Sequence, residues 1–136
     1  MTRYLVDTNV LVNASRGREP AARVLRSLLG GADEVLTCSV VLTEFYSGAP
    51  RGRFPRLDAW LDTLGLVPIT RSVAIAAGTH RFLEARRGWA VSTPDAMIGA
   101  AAAGAGCVLL TDNERDFHHP GLRVTSTGAL RDELGI

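Results

Sequence analysis

RYLVDTNVLVNA, residues 3–14, decides the fold. Tyr4, Leu5 and Val6 form a short apolar run of strand formers. Asp7 ends the run, and the cap-forming side chains of Thr8 and Asn9 follow it. Val10, Leu11 and Ala14 then recur at helical spacing. The stretch predicts a buried strand that carries a carboxylate to its own C-terminal tip, just where a helix starts. In open α/β sheets, ligands bind outside the carboxyl ends of the strands. Asp7 alone serves equally well as a helix cap, so the functional question is whether other acids reach the same edge.

Outward from this stretch, apolar runs and helical periodicities alternate. Residues 16–19 are a polar connection, and Pro20 suits a first helical position. Val24, Leu25, Leu28 and Leu29 share one helical face, which Gly30-Gly31 ends. Residues 35–38 predict a second strand, and Ser39 caps a helix carrying Val40, Val41, Glu44 and Phe45. The loop APRGRFP at 49–55 holds Arg51 and Arg53, with Arg56 next. Leu57, Trp60, Leu61 and Leu64 mark a further amphipathic helix. Residues 66–69 predict a third strand, which Pro68 assigns to an edge. Val73, Ala76, Ala77, His80 and Leu83 mark a long helix ending at Arg86-Arg87-Gly88. Thr93-Pro94-Asp95 supplies a cap, a proline at the first position and a first-turn acid. The small residues of GAAAAGAG let that helix lie close to the sheet. Residues 107–110 are the clearest buried strand and end in Thr111-Asp112-Asn113. Leu122-Arg123-Val124 predicts a last strand, with a short helix after Thr127. Strands alternate with helices and no hairpin signal intervenes. The expectation is a single domain over 1–136, a three-layer α/β/α arrangement with a central parallel sheet of four to five strands.

Composition narrows the class. At 46% hydrophobic and 21% charged residues, the chain has the make-up of a globular domain. A formal net charge of +1 gives no global field for nucleic acid, so any basic surface is local. All 15 basic residues are Arg, which base composition of the gene explains. No apolar run approaches the ~20 residues of a membrane span. Asp7 and Asn9 break the pattern of a signal peptide, and the expected location is cytoplasmic. Cys38 and Cys107 fall at opposite ends of their strands and read as small core residues.

The acids collect. The first strand delivers Asp7 and the fourth delivers Asp112 to one sheet edge. Asp95 opens a helix running back along the sheet, so it reaches that edge too. Glu44 lies in the second turn of a helix leaving it, and Asp116 follows Asp112 by one turn. Clustered carboxylates repel one another and are costly to desolvate. A hard divalent cation, Mg²⁺ or Mn²⁺, makes such a cluster tolerable and useful. No G-x-S-x-G nucleophile is present, and His118-His119 read as solvent-facing loop residues.

VDTNVL at 6–11, TEF at 43–45, PDAMIGAAA at 94–102 and LLTDNERDF at 109–117 occur in that order along nearly the whole chain. With them the chain resembles the PIN-domain family, and within it the VapC-like toxins of bacterial toxin–antitoxin pairs. The resemblance implies a Mg²⁺- or Mn²⁺-dependent endoribonuclease leaving 5′-phosphate and 3′-hydroxyl ends. It implies that Asp7, Glu44 and Asp95 ligate or position the metal. The family's further acid falls at Asp112 or Asp116, Asn113 standing where some relatives carry Asp, and Thr8 and Thr111 support the acids. It further implies an RNA substrate, a VapB-like antitoxin partner and a homodimer.

Two alternatives are weighed against this. A haloacid-dehalogenase-type phosphatase also places Asp after the first strand. It needs a second acid two residues on and a downstream Lys, whereas this chain has Asn9 and no Lys. A metal-free PIN-like module that holds RNA or protein without cutting is the other. The arginines at 51, 53 and 56 are candidate contacts for RNA phosphate or a partner. Phe45, Tyr46 and Trp60 are candidates for a partner groove or for core packing.

Overall fold

The computed structural model describes residues 1–136. Five parallel strands form one sheet in the order β3-β2-β1-β4-β5. They are β1 (Arg3–Val6), β2 (Glu34–Cys38), β3 (Gly65–Val67), β4 (Val108–Leu110) and β5 (Arg123–Thr125). Between β1 and β2 come α1 (Thr8–Ser15) and α2 (Ala21–Leu29). Helices α3 (Ser39–Gly48) and α4 (Pro55–Leu61) lead to β3. Helices α5 (Arg71–Arg86) and α6 (Thr93–Gly104) lead to β4, and α7 (Thr127–Leu134) closes the chain. The helices flank the sheet: α5 packs on α6, α1 on α2 and α2 on α7, while α3 touches both α1 and α6. The expected three-layer parallel architecture is therefore present, with the upper of the two strand numbers.

The central strand is β1. Leu5 stands between Leu36 of β2 and Leu109 of β4. Leu5, Val6, Leu109 and Leu110 have no exposed surface, because helices cover both sheet faces. The order also sets the site. The chain builds outward from β1 through β2 to β3, then returns to lay β4 against the other side of β1. The direction of winding reverses between β1 and β4, and a crevice forms at the carboxyl ends of strands on either side of such a reversal. The amide of Asp7 donates to the carbonyl of Leu110 at 3.0 Å, prolonging this pairing to the crevice itself.

Several local expectations are corrected. Asp7 is the N-cap of α1, one of the two roles open to it, accepting from the Thr8 amide at 2.8 Å, while Thr8 and Asn9 lie inside the helix. Ser92, not Thr93, caps α6, accepting from the Asp95 amide at 3.2 Å. Ser39 lies inside α3, behind Cys38 at the cap position. Pro20 precedes α2, and Pro68 lies just past the edge strand β3. Asp7, Cys38 and Ser92 have the extended backbone that an N-cap needs, and at Ser92-Thr93 adjacent hydroxyls offer the same capping chemistry. His119 is half-buried, not solvent-facing; its ring meets buried His80 edge-on at 5.0 Å. Burial and the neighbouring His80 both hold His119 below its ordinary value. Phe45 is buried in the core, whereas Tyr46 and Trp60 are only partly covered.

Candidate metal centre

Asp7 is placed by the end of β1 and is 4% exposed. Three donors hold its carboxylate. The Thr8 amide reaches Oδ1 at 2.8 Å. The Thr111 hydroxyl and the Asn9 amide group both reach Oδ2, at 2.7 and 3.0 Å. Thr111 directly follows β4, is fully buried, and accepts in turn from Asn9 Nδ2 at 3.2 Å and from the Asn113 amide at 3.1 Å. Asn9 Oδ1 accepts from the Asp112 amide at 3.1 Å. Side chains from the two sides of the crevice therefore lock one carboxylate in place. Asp7 is a helix cap and a pocket residue at once.

Glu44 comes from α3. The Thr8 hydroxyl donates to its Oε1 at 2.8 Å, which ties it to the start of α1. Asp95 stands in the first turn of α6, where Ser92 and Pro94 define the helix start and the helix dipole favours an anion. Asp7, Glu44 and Asp95 line one pocket of about 330 Å³, together with Thr8, Asn9, Asn13 and Asn113.

Burial pushes the Asp7 carboxyl above the ordinary carboxylate range, and the charge of Glu44 pushes the same way; the bonds from Thr111, Thr8 and Asn9 only partly offset this. Burial also raises Asp95, with the charges of Asp7, Asp116 and Glu44 adding to the rise and Ser92 opposing it. Two carboxyls in one pocket thus share the strain of being charged together.

Asp112 and Asp116 part company with this group. Asp112 turns to α7. Its Oδ1 accepts from the Thr127 amide at 2.8 Å, and both oxygens lie 2.9 Å from the Thr127 hydroxyl. Its carboxylate is not on the pocket wall. Asp112→Ala is expected to leave the buried Thr127 hydroxyl and the start of α7 without an acceptor. The cost is about 1–3 kcal/mol, read as a lower urea midpoint. Asp116 sits in a 3-10 turn (Glu114–Asp116) beside the pocket and acts on Asp95 through its charge. Asn113 lines the pocket. Asn9 and Asn13 are polar wall residues that the sequence did not mark as part of the site, and Asn9 is the one bonded to Asp7. Its place two residues after Asp7 in the first turn of a helix was the available signal, since a side chain there faces the carboxyl end of the neighbouring strand.

Does this set suit a metal? The carboxylates stand around the pocket without closing into a three-ligand cage. Every polar group on the wall offers oxygen or amide, and no Arg, His or Cys lines it. Oxygen-only donors with surplus negative charge fit a hard divalent ion such as Mg²⁺ or Mn²⁺, and not zinc.

Comparison with known proteins identifies the family. The profile of the PIN domain family matches residues 4–121. Ribonuclease VapC19 of Mycobacterium tuberculosis is 28% identical over 115 residues, 83% of this chain and 90% of that protein. The tRNA(fMet)-specific endonuclease VapC of Shigella flexneri is 25% identical over 126 residues, 89% of this chain and 94% of that one. Among solved structures, DNA-bound VapBC of Salmonella typhimurium superposes with a TM-score of 0.74 at 25% identity, covering 93% of this chain and 99% of that chain. The solved VapBC structure shares the fold, and the family match runs from the first strand to the approach of the last. The chain belongs to the PIN-domain family.

Proposed function

We propose that this chain is a divalent-metal-dependent endoribonuclease, the toxin half of a VapBC-like toxin–antitoxin pair, with a VapB-like antitoxin as its partner in the cytoplasm. The observation that carries the reading is the meeting of Asp7, Glu44 and Asp95, from three separate elements, on one pocket wall without a cationic side chain. The VapC ribonuclease relatives and the VapBC complex described above support it.

Asp7, Glu44 and Asp95 would hold the ion. Bound there, Mg²⁺ or Mn²⁺ supplies Lewis acidity toward a phosphodiester and eases ionisation of water. The chain's own residues provide the rest. Thr111, Asn9 and the Thr8 amide fix Asp7 as an acceptor of set direction. The Thr8 hydroxyl turns Glu44 toward the pocket. The N-termini of α1 and α6 meet at the pocket and favour anionic groups there. Asp116 adds negative charge beside Asp95.

The test is cleavage of RNA by the purified chain with Mg²⁺ or Mn²⁺, compared with chelator and with Asp95→Asn. Cleavage should require the ion and be lost in the variant. Equal cutting by both proteins overturns the reading.

The raised carboxyls give a second expectation, in thermal stability. Asp7 and Asp95 ionise at higher pH in the folded chain than in the unfolded one. Protonation therefore favours folding. Without divalent ions, these two groups should make the protein more stable as pH falls through their raised values toward the ordinary 3.8. With saturating Mn²⁺ the trend reverses, because only the ionised acids bind the ion. The Mn²⁺-induced rise in Tm, worth about 2.7 kcal/mol at a hundredfold excess over Kd, should be largest near neutral pH and vanish on acidification. A rise independent of pH would contradict the ligand assignment.

A further inference from the structure

A second cavity, about 610 Å³, adjoins the acid pocket, and Val12 and Glu44 line both. Its apolar floor includes Phe45 and Leu57, and its rim carries Arg16, Arg53 and Arg56. None of these three arginines pairs with a carboxylate; the ion pairs of the molecule use Arg3, Arg26, Arg51, Arg87 and Arg131. Phe54 stands on the same rim, 49% exposed, with the Arg53 guanidinium 5.6 Å from its ring centre.

The loop that presents them is built, not loose. Arg51 grips Asp62 through two bonds of 2.7 and 2.6 Å and reaches the Tyr46 hydroxyl at 3.3 Å. Buried Asp58 accepts from the Gly52 amide at 2.8 Å. Gly52 has φ of 96°, a left-handed conformation that suits glycine. Of the three arginines around this loop, Arg51 is thus a strut, and Arg53 and Arg56 are left facing the groove.

We propose that this groove is the subsite for the nucleotides beside the scissile phosphate of a single-stranded RNA, with Phe54 stacking a base and Arg53 and Arg56 holding phosphates. The inference rests on the nuclease reading and extends it. Proteins that hold single strands pair a basic track with an exposed aromatic ring, because every base has a stackable face and every linkage a charge. Here the acid pocket repels phosphate wherever a cation is absent. The adjoining unpaired arginines supply the attraction that brings a polyanion to its edge. The shared wall of Val12 and Glu44 makes groove and pocket one continuous path for a strand.

The test separates binding from cutting. In an Asp7→Asn background, fluorescence anisotropy with a labelled single-stranded RNA of about ten nucleotides reads affinity at several salt concentrations. Adding Phe54→Ala should weaken binding about tenfold. Adding Arg53→Gln with Arg56→Gln should flatten the slope of log K against log salt by about 1.4, two phosphate contacts at ~0.7 each. Arg123→Gln, at the opposite sheet edge, should change neither, and melting curves check that each variant is folded. In the cutting-competent chain, the arginine pair should raise KM more than it lowers kcat. Absence of RNA binding by the Asp7→Asn chain, or unchanged affinity and slope in the groove variants, overturns the proposal. The second result assigns the groove to a protein partner. Binding that behaves as expected in a chain that cuts no RNA keeps the subsite and removes the nuclease reading instead.

Discussion

Asp7→Asn is expected to lower RNA cleavage by about a thousandfold or more while leaving the fold intact. Removing a single supporting group around a metal or a developing charge costs about 10- to 1,000-fold, and Asp7 is the acid most tightly fixed in the pocket. The change keeps shape and size. The Thr8 amide can still find an acceptor, whereas an amide in place of Oδ2 faces two donors, the Thr111 hydroxyl and Asn9 Nδ2, which must redirect their bonds. What disappears is a buried negative charge that faces Glu44 and Asp95. In cation-free buffer the Tm of the variant should therefore equal or exceed that of the wild type, because the raised Asp7 carboxyl carries a folding penalty at neutral pH. With Mn²⁺ the order inverts: the wild type gains stability and the variant does not. A variant that cuts RNA at the wild-type rate would remove Asp7 from the chemistry. A variant that unfolds would show that its oxygen matters to the fold as a cap more than to the site as a ligand.

The second large effect is on stability. Leu5→Ala should cost about 3–5 kcal/mol out of a total of roughly 5–15. Leu5 sits on the middle strand between Leu36 and Leu109, with no exposed surface and helices on both sides. The surrounding β-strands cannot collapse into the space without breaking their ladders. A urea titration should show a lower midpoint with an unchanged slope. A loss below about 1 kcal/mol would mean that the middle of the sheet relaxes far more than its packing indicates. The two substitutions are two residues apart and act in opposite ways: one removes function and spares the fold, the other removes stability and reaches the site only through it.

Much of this was legible in the sequence, for identifiable reasons. Alternating apolar runs and helical periodicities announce a parallel α/β sheet because strands buried on both faces read as continuous hydrophobic stretches. The convergence of Asp7, Glu44 and Asp95 was legible because each lies at a strand tip or in the first two turns of a helix at the same edge. Strand order was not legible. That β4 returns to pair with β1 depends on long-range packing, which local patterns do not encode. The same limit explains Asp112. At the tip of a strand it looks like Asp7, but its neighbour in space is Thr127, fifteen positions on, and that neighbour takes its carboxylate away from the pocket. His119 follows the same logic: a loop histidine is exposed by default, and only the packing against His80 on α5 covers it. Asn9 was missed because its importance lies in joining Asp7 to Thr111, and Thr111 is 102 positions beyond Asn9.

The pairing of the first strand with the fourth has a consequence for biosynthesis. Translation delivers Asp7 104 residues before its buried partner Thr111. Until β4 has left the ribosome and docked, β1 lacks one of its two neighbours and the crevice has only one bank. A truncated or nascent chain therefore carries the acids without the geometry.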